Sequence, residues 1–186
     1  SGIIRLHEES QQLPANVQLI HQDVLKADFQ ELAERCGGKL KIVANLPYSI
    51  SSPFLFRMIE YREVMDSAVI MLQKEVAQRL AAEPGTKEYG VPTVLLATCA
   101  VVESLLVLGP EEFHPRPKID SSVVRITFSP AESEDSLNYP LLKRIVSSAF
   151  GQRRKTLLNG LSASGLLSKD TMSACIHEAG LKPTIR

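Results

Sequence analysis

Residues 43–54 read VANLPYSISSPF, and the short run KIVA that begins at Lys41 leaves its apolar stretch through Asn45-Leu46-Pro47-Tyr48: an amide, a proline and a phenol in place of a turn glycine. A run of this kind ahead of a polar turn predicts a strand, KIVANL, ending at the quartet. Behind it, Ser52 is placed to cap a helix with Pro53 at the first helical position, and Phe54, Leu55, Met58 and Ile59 form one apolar face.

Working outward, residues 2–13 read as the end of a helix, Val17–His21 as a short strand, and FQELAERCGG as a helix closed by glycines. On the other side, SAVIMLQ predicts a strand running into a helix through KEVAQRLAAEPG. Residues 91–102 suit a buried helix, and SLLVLG and SSVVRITF suit strands on either side of the proline-rich FHPRPKID. Strands alternating with helices imply the α/β class, with a mostly parallel sheet covered on both faces and the late strands closing as an antiparallel pair. The polar stretch SPAESEDSLNYP reads as a linker. Beyond it YPLLKRIVSSAFGQRRKTLLNGL, SKDTMSACIHEAG and the short remainder read as helices.

The chain has 186 residues, 44% of them hydrophobic, enough to bury one full domain and a smaller unit. No apolar run approaches the roughly 20 residues of a membrane span, and the expected location is cytoplasmic. Cys36, Cys99 and Cys175 are widely spaced, with no C-x-x-C pair, so they are expected to be reduced and structural, with no metal site. The net charge of zero conceals an asymmetry: residues 1–135 carry 13 Lys and Arg against 19 Asp and Glu, residues 136–186 carry 8 against 2. A basic tail on an acidic body suits a polyanionic partner, and equally a solvated pair of basic helices.

Strand ends of α/β sheets are where ligands gather, which makes Asn45 and its neighbours candidates for chemistry as well as for an ordinary turn. The exocyclic amine of adenine or cytosine, or a carboxamide nitrogen, is a poor nucleophile with two N–H donors. An Asn side-chain oxygen and a backbone carbonyl next to a proline can accept both hydrogens and turn the lone pair toward an electrophile. Tyr48 can stack on a base pulled from its helix.

The quartet resembles the N/D-P-P-Y/F signature of amino-methyltransferases. With QDVLKADF at 22–29, NLPYSISSPFLFRM at 45–58, MLQKEVAQRL at 71–80, YG at 89–90, FHPRPKIDSSVVR at 113–125 and FGQRRKTLLNGL at 150–161, the chain is similar to the bacterial KsgA-type small-subunit ribosomal RNA adenine dimethyltransferases. That resemblance implies a Rossmann-like methyltransferase domain that uses S-adenosylmethionine, residues 1–130 forming its carboxyl-terminal portion. Residues 131–186 would be a helical RNA-binding domain, and the partner small-subunit rRNA within a ribosomal subunit. It implies Asn45, Leu46, Pro47 and Tyr48 as the methyl-transfer site, with Tyr48 and Phe113 flanking the target base. Asp23, Val24 and Asn45 are then the cofactor contacts, and no His, Cys or metal is expected in catalysis. Read without the resemblance, Asp23 is a turn cap and Phe113 a core residue. The consecutive Arg153, Arg154 and Lys155 would fan over about 200° of a helix, which suits phosphate contact or simple solvation. No G-x-G-x-x-G or G-x-G-x-G occurs in the sequence. The expectation is therefore a piece of a longer enzyme, shortened at both ends, that alone binds cofactor weakly or not at all and is inactive. Two other readings share these residues: a large-subunit rRNA adenine methyltransferase of the macrolide-resistance type, and a non-catalytic ribosome-assembly module.

Overall fold

In the computed structural model, which describes residues 13–129, 138–152 and 154–185, the opening stretch is a strand delivering a helix. Strand β1, Leu40–Asn45, alternates half-buried and exposed positions, so Ile42 and Ala44 face the core while Lys41, Val43 and Asn45 face outward. Upstream, Asp28 caps helix α1, Phe29–Cys36, by accepting from the amides of Gln30 and Glu31, and Gly37 at φ 71 closes it in the left-handed region that favours glycine.

Helix α2 spans Tyr48–Glu60, five residues earlier than a Ser52 cap would give. Pro47, with φ −54, already sets the chain for a helical turn, and Pro53 becomes an interior residue whose missing N–H leaves the Ser49 carbonyl without its helical donor. An interior proline costs about 3 kcal/mol. Burial of Phe54, Leu55, Met58 and Ile59 on the same helix, at roughly 1.5–3 kcal/mol each, outweighs it.

Strand β2, Met65–Gln73, runs parallel to β1 with Val43 opposite Val69 and Asn45 opposite Met71. Helices α3, Lys74–Leu80, and α4, Val91–Ala97, lead to β3, Ala100–Leu108, and a loop returns the chain as β4, Ser121–Phe128. Helix α3 stops short of the expected AAEPG continuation because Pro84 disfavours helix at the residue before it and Gly85 adopts φ 89. The helix expected over 91–102 gives way to β3 at Ala100, where Val101 and Val102 pair with Thr127 and Ile126 of β4.

The strand order is β1-β2-β4-β3. Strands β1, β2 and β3 point the same way and β4 opposes them. Because β4 inserts between β2 and β3, the sheet has one parallel pairing and two antiparallel ones among the described residues, which corrects the expectation of a mostly parallel sheet. Helices α2, α3 and α4 bury Met65, Ile70, Leu72, Val124 and Ile126 on one face. Coverage of both faces is not what the described residues form: Val43 is 87% and Val101 67% exposed on the other face, beside an Arg125–Glu103 ion pair. The Val17–His21 segment is not a strand either. It finds no paired neighbour, and Val17, Leu19 and Ile20 stay exposed.

Of the linker reading, residues 129–140, all but Ser129 and residues 138–140 lie outside the described residues, and Tyr139 and Pro140 already belong to a helix; the first helix reading, residues 2–13, lies outside them except for Leu13, which is not helical. Asn138 caps helix α5, Tyr139–Gly151, which is separated by a turn from α6, Leu157–Ser162, capped by Thr156. The single long helix expected here is therefore two, which lets α6 fold back until a Cβ on Gly160 would sit 3.0 Å from the Ser148 carbonyl. Helix α7, Lys169–Glu178, ends near Gly180, and residues 181–185 are not helical; the carbonyls of Pro183 and Ile185 accept from the amides of Leu158 and Leu157. Leu161, Met172 and Ile176 form a small second core. Tail and body meet through α4 and α5, with Lys143 2.9 Å from Glu60 and the Arg62 guanidinium 5.2 Å from the Tyr139 ring centre. All three cysteines are free, Cys99 buried but Cys36 and Cys175 exposed, so only Cys99 serves the core.

Candidate active site

The strand directions bring the carboxyl ends of β1, β2 and β3 and the amino end of β4 onto one rim. Asn45 is the last residue of β1 and is exposed, its side chain making no hydrogen bond among the described residues. Leu46 packs partly against the core, Pro47 begins α2, and Tyr48 is the first helical residue, half-buried. Two strands away in sheet order, Ser121 opens β4 opposite Gln73 of β2. The hydroxyls of Tyr48 and Ser121 share a hydrogen bond of 2.6 Å, and Ser121 is 0% exposed. One residue earlier, the Asp120 carbonyl accepts from the Lys74 amide at 3.0 Å, and its carboxylate takes the Lys74 ammonium at 2.8 Å. Three strand ends are thereby tied together under the Asn45 turn.

Phe113 follows a single helical turn, Pro110–Glu112, in the loop from β3 to β4, so it rises from the same rim and is half-buried. The exposed ion pair between Arg116 and Glu111 spans the residues around it.

Asp23 does cap a turn: its Oδ1 accepts from the Leu25 amide at 3.0 Å at the head of the one-turn helix Val24–Lys26. Its other carboxylate oxygen has no partner among the described residues and is open to an N–H donor. Arg57 of α2 steadies this turn, donating to the Ala27 carbonyl at 2.7 Å while its guanidinium lies 4.7 Å from the Tyr61 ring centre. Val24 and Asn45 line one groove along the outer edge of β1, floored by Phe29, Ile42 and Leu46. The apolar wall at Val24, the free Asp23 carboxylate oxygen as an acceptor for an amine and the amide at Asn45 suit a purine with an attached polar chain, so the chemistry of these residues fits the adenine and methyl ends of S-adenosylmethionine.

Arg154 and Lys155 are exposed in the turn between α5 and α6, not on a helix face, and Arg153 lies outside the described residues. Among the described residues the two groups with displaced acidity are off the rim: burial pushes the Cys99 thiol up to about 11 and the Tyr139 phenol up to about 12, both where α4 meets α5. Sequence reasoning missed Ser121, the Lys74–Asp120 pair and Arg57. The one available signal was the paired serine at the head of SSVVRITF, where a strand of buried alternate positions would otherwise begin on an apolar residue. Among the described residues no helix is long and apolar enough to cross a membrane.

The family model described as ribosomal RNA adenine dimethylase matches residues 3–183. The ribosomal RNA small subunit methyltransferase A of Desulfotalea psychrophila is 55% identical over 185 residues, an alignment covering 100% of this chain and 63% of that protein. The protein of the same name from Pseudomonas aeruginosa is 43% identical over 165 residues, covering 88% of this chain and 60% of that one. The chain thus spans about 60% of the length of these curated relatives. Among solved structures, a dimethyladenosine transferase from Plasmodium falciparum superposes with a TM-score of 0.68 at 28% identity, over 84% of this chain and 54% of that one. The 23S rRNA methyltransferase ErmE superposes at 0.64 over 98% of this chain and 70% of that one, and at 20% identity this is a likeness of fold alone.

Proposed function

The chain belongs to the ribosomal RNA adenine dimethylase family, and from that membership we propose that the protein containing it transfers methyl groups to the exocyclic amines of two adjacent adenosines in small-subunit rRNA, in the cytoplasm and on a maturing ribosomal subunit. The names of the curated relatives favour the small subunit over the large one. The observation that carries the chemistry is the rim itself, where an exposed amide at Asn45 stands beside an aromatic ring fixed across the strand ends.

S-adenosylmethionine, when bound, supplies an electrophilic methyl on a sulfonium centre. The Asp23 carboxylate and the Val24 side chain hold its adenine, and Asn45 borders its reactive end. The Asn45 side-chain oxygen and the Leu46 carbonyl accept the two amine hydrogens of the target base, and Pro47, having no N–H, offers no competing donor. That arrangement turns the nitrogen lone pair toward the groove. Tyr48 supports one face of the base, with Phe113 rising beside it from the β3–β4 loop. Alignment is the main contribution, and the amine proton leaves to water, so no side chain needs a displaced acidity. After a first methylation a single N–H remains, and either acceptor can hold it.

Residues 131–186 act as the RNA-holding unit in this reading. Its support is the excess of 8 basic over 2 acidic residues from 136 onward and the exposed Arg154 and Lys155 at a tight turn. The test is methylation of subunits from cells lacking this modification: transfer into small-subunit RNA supports the reading, and transfer into large-subunit RNA alone refutes it.

A further inference from the structure

Tyr48 leaves the end of β1, yet its hydroxyl is held at 2.6 Å by Ser121 on β4, with β2 between the two strands. We propose that Ser121 is a positioning residue: from beneath the rim it fixes the long axis of the Tyr48 ring, so that the ring presents a constant platform to the target base next to Asn45. The inference rests on the reading of Tyr48 as the stacking residue.

The geometry argues for a device and not an incidental contact. Adjacent strands lie about 4.8 Å apart, so the Tyr48 side chain and its hydrogen bond together reach from the exit of β1 past the end of β2 to β4. With its Cβ fixed by α2 and its hydroxyl fixed by Ser121, the ring loses its swing into the crevice and keeps only rotation about its own axis. The base can then select the ring plane, because the terminal torsion of a tyrosine is broad. The anchor is itself rigid. Ser121 is 0% exposed, and the preceding Asp120 is bonded to Lys74 through both backbone and side chain. The loop carrying Phe113 ends at the same two residues, so both aromatic candidates are referred to one fixed point. A buried serine hydroxyl also needs a partner, and Tyr48 supplies it.

The test uses the full protein that contains this chain, with unmethylated small ribosomal subunits, comparing wild type, Ser121→Ala, Tyr48→Phe and the double variant. Each single variant deletes the same hydrogen bond, and Tyr48→Phe keeps the ring, so a Ser121→Ala protein that failed to fold would leave the question open to the second variant. We expect each to lower kcat about 2- to 10-fold, with KM for subunits unchanged, and the double variant to lose no more than either single one. Equal losses without additivity would support the assignment. Losses that multiply, a loss confined to Tyr48→Phe, an effect on KM alone, or full activity in both single variants would overturn it. A wild type that transfers no methyl at all would instead overturn the functional reading on which the role depends.

Discussion

The Lys74 ammonium lies 2.8 Å from a carboxylate oxygen of Asp120, at the point where the end of β2 meets the residue before β4. Both side chains are about two-fifths exposed, 43% and 41%, and solvent screens them. Such a pair is worth at most about 1 kcal/mol. Lys74→Met should therefore lower the melting temperature by no more than about 4 °C, since the backbone bond from Lys74 to Asp120 survives the change. A drop of 10 °C or more on calorimetry, far above about 4 °C, would assign the rim's integrity to the ion pair.

Asn45→Ala removes an exposed side chain with no hydrogen-bond partner among the described residues. Stability should change by less than about 0.5 kcal/mol in urea unfolding, as for surface substitutions generally. Transfer should fall about 100-fold or more, because the target amine loses one of its two orienting acceptors. Near-normal turnover in single-turnover measurements would remove Asn45 from the site.

Arg154 and Lys155 project from the α5–α6 turn into solvent. Replacing both with Gln should weaken RNA binding and flatten its log–log salt dependence by roughly 0.7 to 0.9 per lost phosphate contact. Thermal stability should stay unchanged. An unaltered salt slope would return the turn to a merely solvated one.

Alkali should destabilise the junction of α4 and α5. Burial raises the Cys99 thiol from 9.0 to about 11, against the pull of Arg62. The Tyr139 phenol rises from 10.0 to about 12 through burial first, then the charges of Glu60 and Cys99, again against Arg62. Both groups hold more protons folded than unfolded, so their contribution is complete below the unfolded values and is lost as pH climbs through the folded ones. Urea midpoints taken from about pH 8 to about pH 11.5 should fall, and Cys99→Ala should make the fall shallower. A midpoint that stays level would contradict this.

Much of the sheet could be read from the chain because its strands are patterned. SSVVRITF is β4 residue for residue, and KIVANL lies within one residue of β1. What escaped was set by neighbours. The order β1-β2-β4-β3 depends on where β4 inserts, which no local period records. Val17–His21 has strand composition without a strand beside it, and Pro53 looked like a helix start because local preference says so, whereas the core under Phe54 and Met58 carries the helix through it. At the rim, Asn45 and Tyr48 were visible as an unusual strand exit. Ser121 was not, since a serine at the head of a strand gains meaning only when a tyrosine 73 residues earlier reaches it.

The most direct measurement is nucleoside mass spectrometry of RNA after the full protein that contains this chain is incubated with unmethylated small ribosomal subunits and isotope-labelled S-adenosylmethionine. The account predicts labelled N6,N6-dimethyladenosine at two neighbouring adenosines of the small-subunit RNA, and its loss in Asn45→Ala protein that still melts like wild type. Absence of label from small-subunit RNA, or equal labelling by the Asn45→Ala protein, would contradict it.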